Sequence, residues 1–211
     1  MIGNLIIISS PSGGGKGTLI REILNTADHI GYSISLTTRP MRPGETDGKD
    51  YKFVSRAKFE EFRSEGMFLE YAEVHGNYYG TSETVTKQII SEGKDVILEI
   101  DVQGAALVLA KLPEAVSIFI MPPSFEALTH RLITRATETP DQLSLRLRNS
   151  SDEIRSYTEF EYVVVNDDIS TAADRMKSII LGERQKRIRQ TGAIADILNS
   201  FDVSNHKGSR R

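Results

Sequence analysis

Five short runs rich in isoleucine and valine punctuate the chain: LIIIS at 5–9, YSISLT at 32–37, DVILEI at 95–100, VSIFIM at 116–121 and YVVVN at 162–166. Helical patterns separate most of them, which predicts a parallel sheet covered on both faces. Helices are expected at about 16–26, 83–92, 104–111, 124–136, 141–158 and 169–190. Ser124 suits an N-cap and Pro140 a first helical turn. Two stretches break the alternation. From Thr37 to Ser82 comes a Pro/Gly-rich loop, a short helix near 56–65 and strand-like pieces such as FLEYAEV. From about 124 to 156 two helices flank the polar turn TRATETPD. The expected division is core 1–36, an inserted region 37–82, core 83–123, a second insert 124–156, then core and C-terminal helices over 157–203. The final SNHKGSRR, 204–211, reads as a disordered polar tail.

Composition changes this picture only by exclusion. At 211 residues the chain suits one core with inserted subdomains rather than two independent domains. A net charge of -3 offers no general attraction to nucleic acid or anionic membrane, so an anion site has to be built locally. With no cysteine there is neither a disulfide framework nor a thiolate metal site. His29, His75, His130 and His206 lack metal-ligand spacing. The apolar run at 5–8 is far too short to cross a bilayer, and no leader pattern precedes it, so a cytoplasmic protein is expected.

The candidate chemistry starts at SSPSGGGKGT, Ser9 to Thr18. A loop between a buried strand and a helix N-terminus turns backbone N–H groups onto an anion, with the helix dipole behind them. Ser10, Pro11, Ser12, Gly13, Gly14 and Gly15 would form that loop, and Lys16 would offer an ammonium to the β- and γ-phosphates. The usual pattern has glycine at Ser10 and a hydroxyl residue at Gly17. Ser10 lies at the loop edge, and Thr18 can reach back with the hydroxyl that Gly17 lacks. The plain alternative is a glycine-rich turn with a surface lysine. The GKGT ending resembles that of adenylate kinases and other nucleoside monophosphate kinases. That resemblance implies ATP, with Mg²⁺ held mainly by its phosphates and water.

Further along, Arg39 and Arg42 each precede a proline, which keeps both on an extended loop. Two guanidinium forks so placed can grip one phosphate, with Tyr51 and Tyr79 adding hydroxyl donors. The competing reading is a pair of solvated loop arginines. Glu99 and Asp101 stand two apart at the end of a strand, on one face. Ligands collect at that end of a parallel sheet. One carboxylate can orient a Mg²⁺-bound water and the other the base or an arginine. Arg131 and Arg135 are one turn apart on a helix, and Arg146 is on the next; taken alone they are equally well solvated partners of acidic residues.

Taken together, SSPSGGGKGT, SLTTRPMRPGETDGKDY, FLEYAEVHGNYYGTS, LEIDVQGA, the arginines from HRLITR to SLRLR, and VVVNDD closely resemble the guanylate kinase family, in family order and to about residue 190. The resemblance implies a P-loop kinase fold: a three-layer α/β core on a five-stranded parallel sheet, a GMP-binding region near 37–82 and a lid near 124–156. It implies that Arg39, Arg42, Tyr51 and Tyr79 hold the GMP phosphate, and that Ser35, Glu70 and Thr81 or Ser82 read guanine, with Asp101 beside them. It assigns Arg131, Arg135 and Arg146 to the lid and sets Asn166 and Asp167 beside adenine. The implied reaction is MgATP plus GMP, and dGMP as a further acceptor. The chain departs from the family's usual residues with Glu99 for aspartate and Ala136 for glycine. Two rivals stand beside this reading: an AMP kinase, suggested by GKGT, and a non-catalytic module of the kind scaffold proteins use to bind phosphopeptides. Ser35 and Glu70 speak against the first, and Lys16, Thr18 and the lid arginines against the second.

Overall fold

The computed structural model describes residues 3–74, 76–134 and 140–204, the side chains of 140–142 and 202–204 excepted. The chain opens with β1 (Leu5–Ser9), α1 (Lys16–Thr26), β2 (Ile30–Ser33), β3 (Leu36–Thr37), β4 (Lys52–Phe53) and α2 (Arg56–Ser64). It continues through β5 (Phe68–Val74), β6 (Asn77–Ser82), α3 (Glu83–Ser91), β7 (Asp95–Glu99), α4 (Val102–Lys111) and β8 (Val116–Met121). It finishes with α5 (Phe125–Thr134), α6 (Pro140–Glu153), β9 (Tyr162–Val165), α7 (Ile169–Arg184) and α8 (Thr191–Ser204).

Five strands make an all-parallel sheet in the order β2-β7-β1-β8-β9. Every residue of the central β1 is buried, because alternate side chains serve opposite layers. Ile6 and Ile8 pack with Leu19 and Ile23 of α1 and with Ala172 and Met176 of α7. Ile7 faces the other way, among Ala105 and Val108 of α4, with Phe119 and Phe160. A strand with two buried faces has to be apolar throughout, which is why LIIIS reads as a run. The α/β core with its five parallel strands is the expected fold.

Region 36–82 supplies a second sheet, in the order β4-β3-β6-β5. It is covered by α2, whose Phe59 stacks on Phe68 and Tyr78 at 4.6 and 5.3 Å between ring centroids. The expected strand at 32–37 is in fact two pieces. Ser33 still pairs with Leu98 of the parallel sheet, whereas Leu36 pairs with Gly80 of the second. The chain changes partners at 34–35, with no glycine or proline to announce it.

Two expected helices are also shorter than their patterns. The one over 141–158 runs from Pro140 to Glu153 and tightens into a 3₁₀ turn over Ile154–Glu159. The one over 169–190 stops at Arg184, where the Gln190 amide donates to the Arg184 carbonyl at 2.7 Å and satisfies a last-turn acceptor. A 3₁₀ turn at Arg187–Arg189 and α8 follow. Ser204 closes α8, and 205–211, most of the expected tail, lies outside the described residues.

At the end of the sheet away from the phosphate loop, Asp95 is 3% exposed and bound on both oxygens. Its Oδ1 accepts from the Asn4 main-chain and side-chain nitrogens at 2.7 and 2.9 Å, and its Oδ2 accepts from Arg184 Nε at 2.7 Å. Arg184 also donates to the Asp28 carbonyl. Removing only the cation strands a buried charge. Arg184→Met should therefore lower unfolding free energy by about 3 kcal/mol in denaturant titrations, with saturated turnover at 25 °C unchanged.

Candidate active site

The loop of residues 10–15 joins the buried end of β1 to α1. Gly13 and Gly15 take φ of 85° and 90°, the left-handed conformation that glycine adopts without strain. Gly15 caps α1 without any side-chain hydrogen bond, which leaves the helix start bare toward the site. The loop is braced from behind: Asn166 Nδ2 donates to the Gly14 carbonyl at 2.9 Å. Arg131 donates to the carbonyls of Gly14 at 3.3 Å and Asn166 at 2.9 Å. A bare helix start beside a lysine favours an anion.

Lys16 is the first residue of α1, and its ammonium donates to the Ile100 carbonyl at 2.8 Å. The carboxylates read as neighbours on one strand face divide between two tasks. Glu99 ends β7 and faces α1: a Cβ placed on Gly17 would lie 3.4 Å from its Oε1. Asp101, two residues past the strand, caps α4 by accepting from Gly104 N–H at 2.9 Å. Among the described residues, no three His, Cys, Asp or Glu side chains group into a cage able to hold a metal ion.

Glu70 arrives on β5 and is 5% exposed. The hydroxyl of Thr81, its cross-strand partner on β6, donates to Oε1 at 2.6 Å, and Oε2 lies over Gly104 next to Asp101. Burial pushes the Glu70 carboxyl up to about 7, and Asp101 adds to the rise, while Thr81 acts against it. Ser35 is buried where the chain crosses between sheets, and Ser82 serves as the N-cap of α3.

Arg39 is buried and held at both ends of its fork by Glu45, at 3.0 and 2.7 Å. It lies over the rings of Tyr51 and Phe53. Tyr51 in turn meets Tyr79 edge-on at 5.9 Å. The Arg42 backbone N–H also donates to Glu45, at 2.7 Å, and its side chain is exposed. Glu45 thus gathers the Arg39 guanidinium and the Arg42 N–H, and Glu153 of α6 accepts from Ser12 N–H of the loop at 2.9 Å. Ser150 donates to the Ser12 carbonyl at 3.1 Å. Arg146 shares that face of α6, one turn before Ser150. Thr18 lies in the first turn of α1. Arg135 and Ala136 lie outside the described residues.

Sequence reasoning missed three contributors: Tyr32, whose hydroxyl donates to Glu99 Oε2 at 2.9 Å, Glu45 and Glu153. Tyr32 and Glu153 reach their partners across the fold and leave no local signal. Glu45, three residues past the second arginine in RPMRPGE, carried one.

A guanylate kinase family model matches residues 2–183. The guanylate kinase of Streptococcus agalactiae is 46% identical over 95% of this chain and 96% of its own. That of Lactococcus lactis is 48% identical over 87% of this chain and 90% of its own. The crystal structure of guanylate kinase from Anaplasma phagocytophilum superposes with a TM-score of 0.76 at 38% identity, covering 89% of each chain.

Proposed function

Because the chain belongs to the guanylate kinase family, we infer that it transfers the γ-phosphoryl group of ATP to GMP, giving ADP and GDP. The observation that carries the acceptor's identity is the buried Glu70. Guanine presents N1–H and an exocyclic amine side by side, and one carboxylate can accept from both. Adenine lacks that donor pair and would leave the desolvated carboxylate unpaired. Ser35 and Thr81 or Ser82 complete the reading of the base, and Asp101 borders it. Arg39, Arg42, Tyr51 and Tyr79 hold the GMP phosphate, with the phosphate replacing Glu45 on the Arg39 fork. Region 37–82 is then the GMP-binding part and 124–156 the lid.

On the donor side, residues 10–18 cradle the ATP phosphates, Lys16 neutralises the β- and γ-oxygens, and Asn166 borders the adenine side. Arg131, Arg135 and Arg146 stabilise the charge spread over the moving phosphoryl group. The nucleophile is a GMP phosphate oxygen, already ionised near neutral pH, so no general base is required. The protein aligns the two nucleotides, neutralises charge and excludes water.

The carboxylates fit Mg²⁺ that travels with ATP, because a single carboxylate, Glu99, beside the α1 start suits a hydrated ion held through water. When bound, Mg²⁺ would supply charge neutralisation across the β- and γ-phosphates. No helix among the described residues is long and apolar enough to cross a membrane, and the cysteine-free chain and its substrates suit the cytoplasm.

A coupled ADP-release assay with GMP, dGMP, AMP and no acceptor tests this reading. ADP should appear with GMP, and more slowly with dGMP. Turnover that is absent, or that does not depend on GMP, would sink it.

A further inference from the structure

Two departures in this chain meet in space. Gly17 stands where phosphate loops usually carry a hydroxyl, and Glu99 stands where the resemblance leads one to expect the shorter aspartate. A Cβ on Gly17 would lie 3.4 Å from Oε1 and 3.8 Å from Oε2 of Glu99. The side chain that the loop lacks would therefore point at this carboxylate.

Glutamate has one more rotor than aspartate, and a free rotor costs entropy whenever it must be ordered for binding. Here the ordering is done in advance. Tyr32 on β2 registers beside Ile97 of β7 and reaches one pleat further to donate to Glu99 Oε2 at 2.9 Å. Among the described residues it is the one hydrogen-bond donor to this carboxylate, and Lys16 is turned to the Ile100 carbonyl.

We propose that Tyr32 is a positioning residue: by holding Oε2 of Glu99 it turns Oε1 toward the α1 start at Gly17, where that oxygen holds the cation through water at a place for which Gly17 has no side chain. The proposal rests on the MgATP-dependent reading above.

The test is ATP binding by calorimetry, with and without MgCl₂, on the full chain and on Tyr32→Phe, together with thermal melting. Metal-free ATP should bind both equally. The tightening that Mg²⁺ brings should drop about tenfold in the variant, the loss of one hydrogen bond to a charged group. Gly17→Ser in the Tyr32→Phe background should recover most of it. Glu99→Gln should show the same loss, and adding Tyr32→Phe to it should lose little more.

A Tyr32→Phe protein that melts lower yet keeps the full effect of Mg²⁺ would mean that the bond only ties β2 to β7. Equal loss of affinity with and without Mg²⁺ would overturn the proposal as well. Should Tyr32→Phe fail to fold, an undiminished Mg²⁺ effect in Glu99→Gln overturns it alone. A parent chain that binds MgATP and does not phosphorylate GMP would count against the functional reading and leave the role of Tyr32 to be decided by the binding data.

Discussion

Lys16→Met should lower kcat by about 10³-fold while GMP affinity stays within a factor of two. The ammonium stands at the first position of α1, next to the bare helix start, and its present partner is the neutral Ile100 carbonyl. No carboxylate is stranded when it goes, and methionine keeps most of the volume of the stem, so folding should be nearly unaffected. What is lost is a positive charge beside phosphates whose negative charge shifts during transfer. Calorimetry with GMP, thermal melting and the ADP-release assay separate these effects. A parallel loss of GMP binding, or a kcat within tenfold of the parent, would show that the lysine does something else.

Glu70→Gln should cost kcat/KM for GMP on the order of 10³- to 10⁴-fold, with AMP little changed, so that the preference collapses. The amide has the same shape but sets N–H donors against the donors of guanine. The parent should also show a pH dependence that this variant lacks. Burial raises the Glu70 carboxyl to about 7, so below that pH a proton occupies the oxygens guanine needs, and kcat/KM for GMP should fall about tenfold per unit. Stability runs the other way. A carboxyl raised in the folded state contributes stability that is full below its unfolded value and lost as pH rises through about 7. Between pH 7.5 and 6 the unliganded parent should therefore gain stability from this group while losing activity toward GMP. An unchanged GMP to AMP ratio in Glu70→Gln would refute the base-reading role, and matching pH profiles would refute the titration.

The parallel core was legible because strands buried on both faces leave apolar runs, and the loop because glycines and lysine follow one of them directly. The switch of YSISLT between two sheets was not, since it depends on which strands lie alongside. The end of α7 was hidden for a similar reason: ERQKRIRQ continues a helical pattern, and the last-turn carbonyl of Arg184 is satisfied by a Gln190 side chain folding back from beyond the helix. In the site, the fold brings Glu70, Thr81 and Asp101 together, and likewise the loop, Asn166 and Arg131. The sequence offers residue types for such groupings but not the company each keeps. Arg39 reads as a free fork, and only the turn at 40–45 shows Glu45 folded onto it.

The strand order has a further consequence, for how the chain reaches this state. β5 and β6 pair residues close in sequence, Val74 beside Asn77, whereas β1 pairs Leu5 with Val96 and Ile6 with Val116. Closing such long loops is slow and entropically costly, so the second sheet can assemble early while the central strand waits for most of the chain. The phosphate loop hangs on that strand and is completed with it. A nucleotide that binds only the finished loop then acts as a folding ligand, adding about 2.7 kcal/mol at a hundred times its dissociation constant. The step that makes the core slow to close is thus also the one its substrate can hold shut.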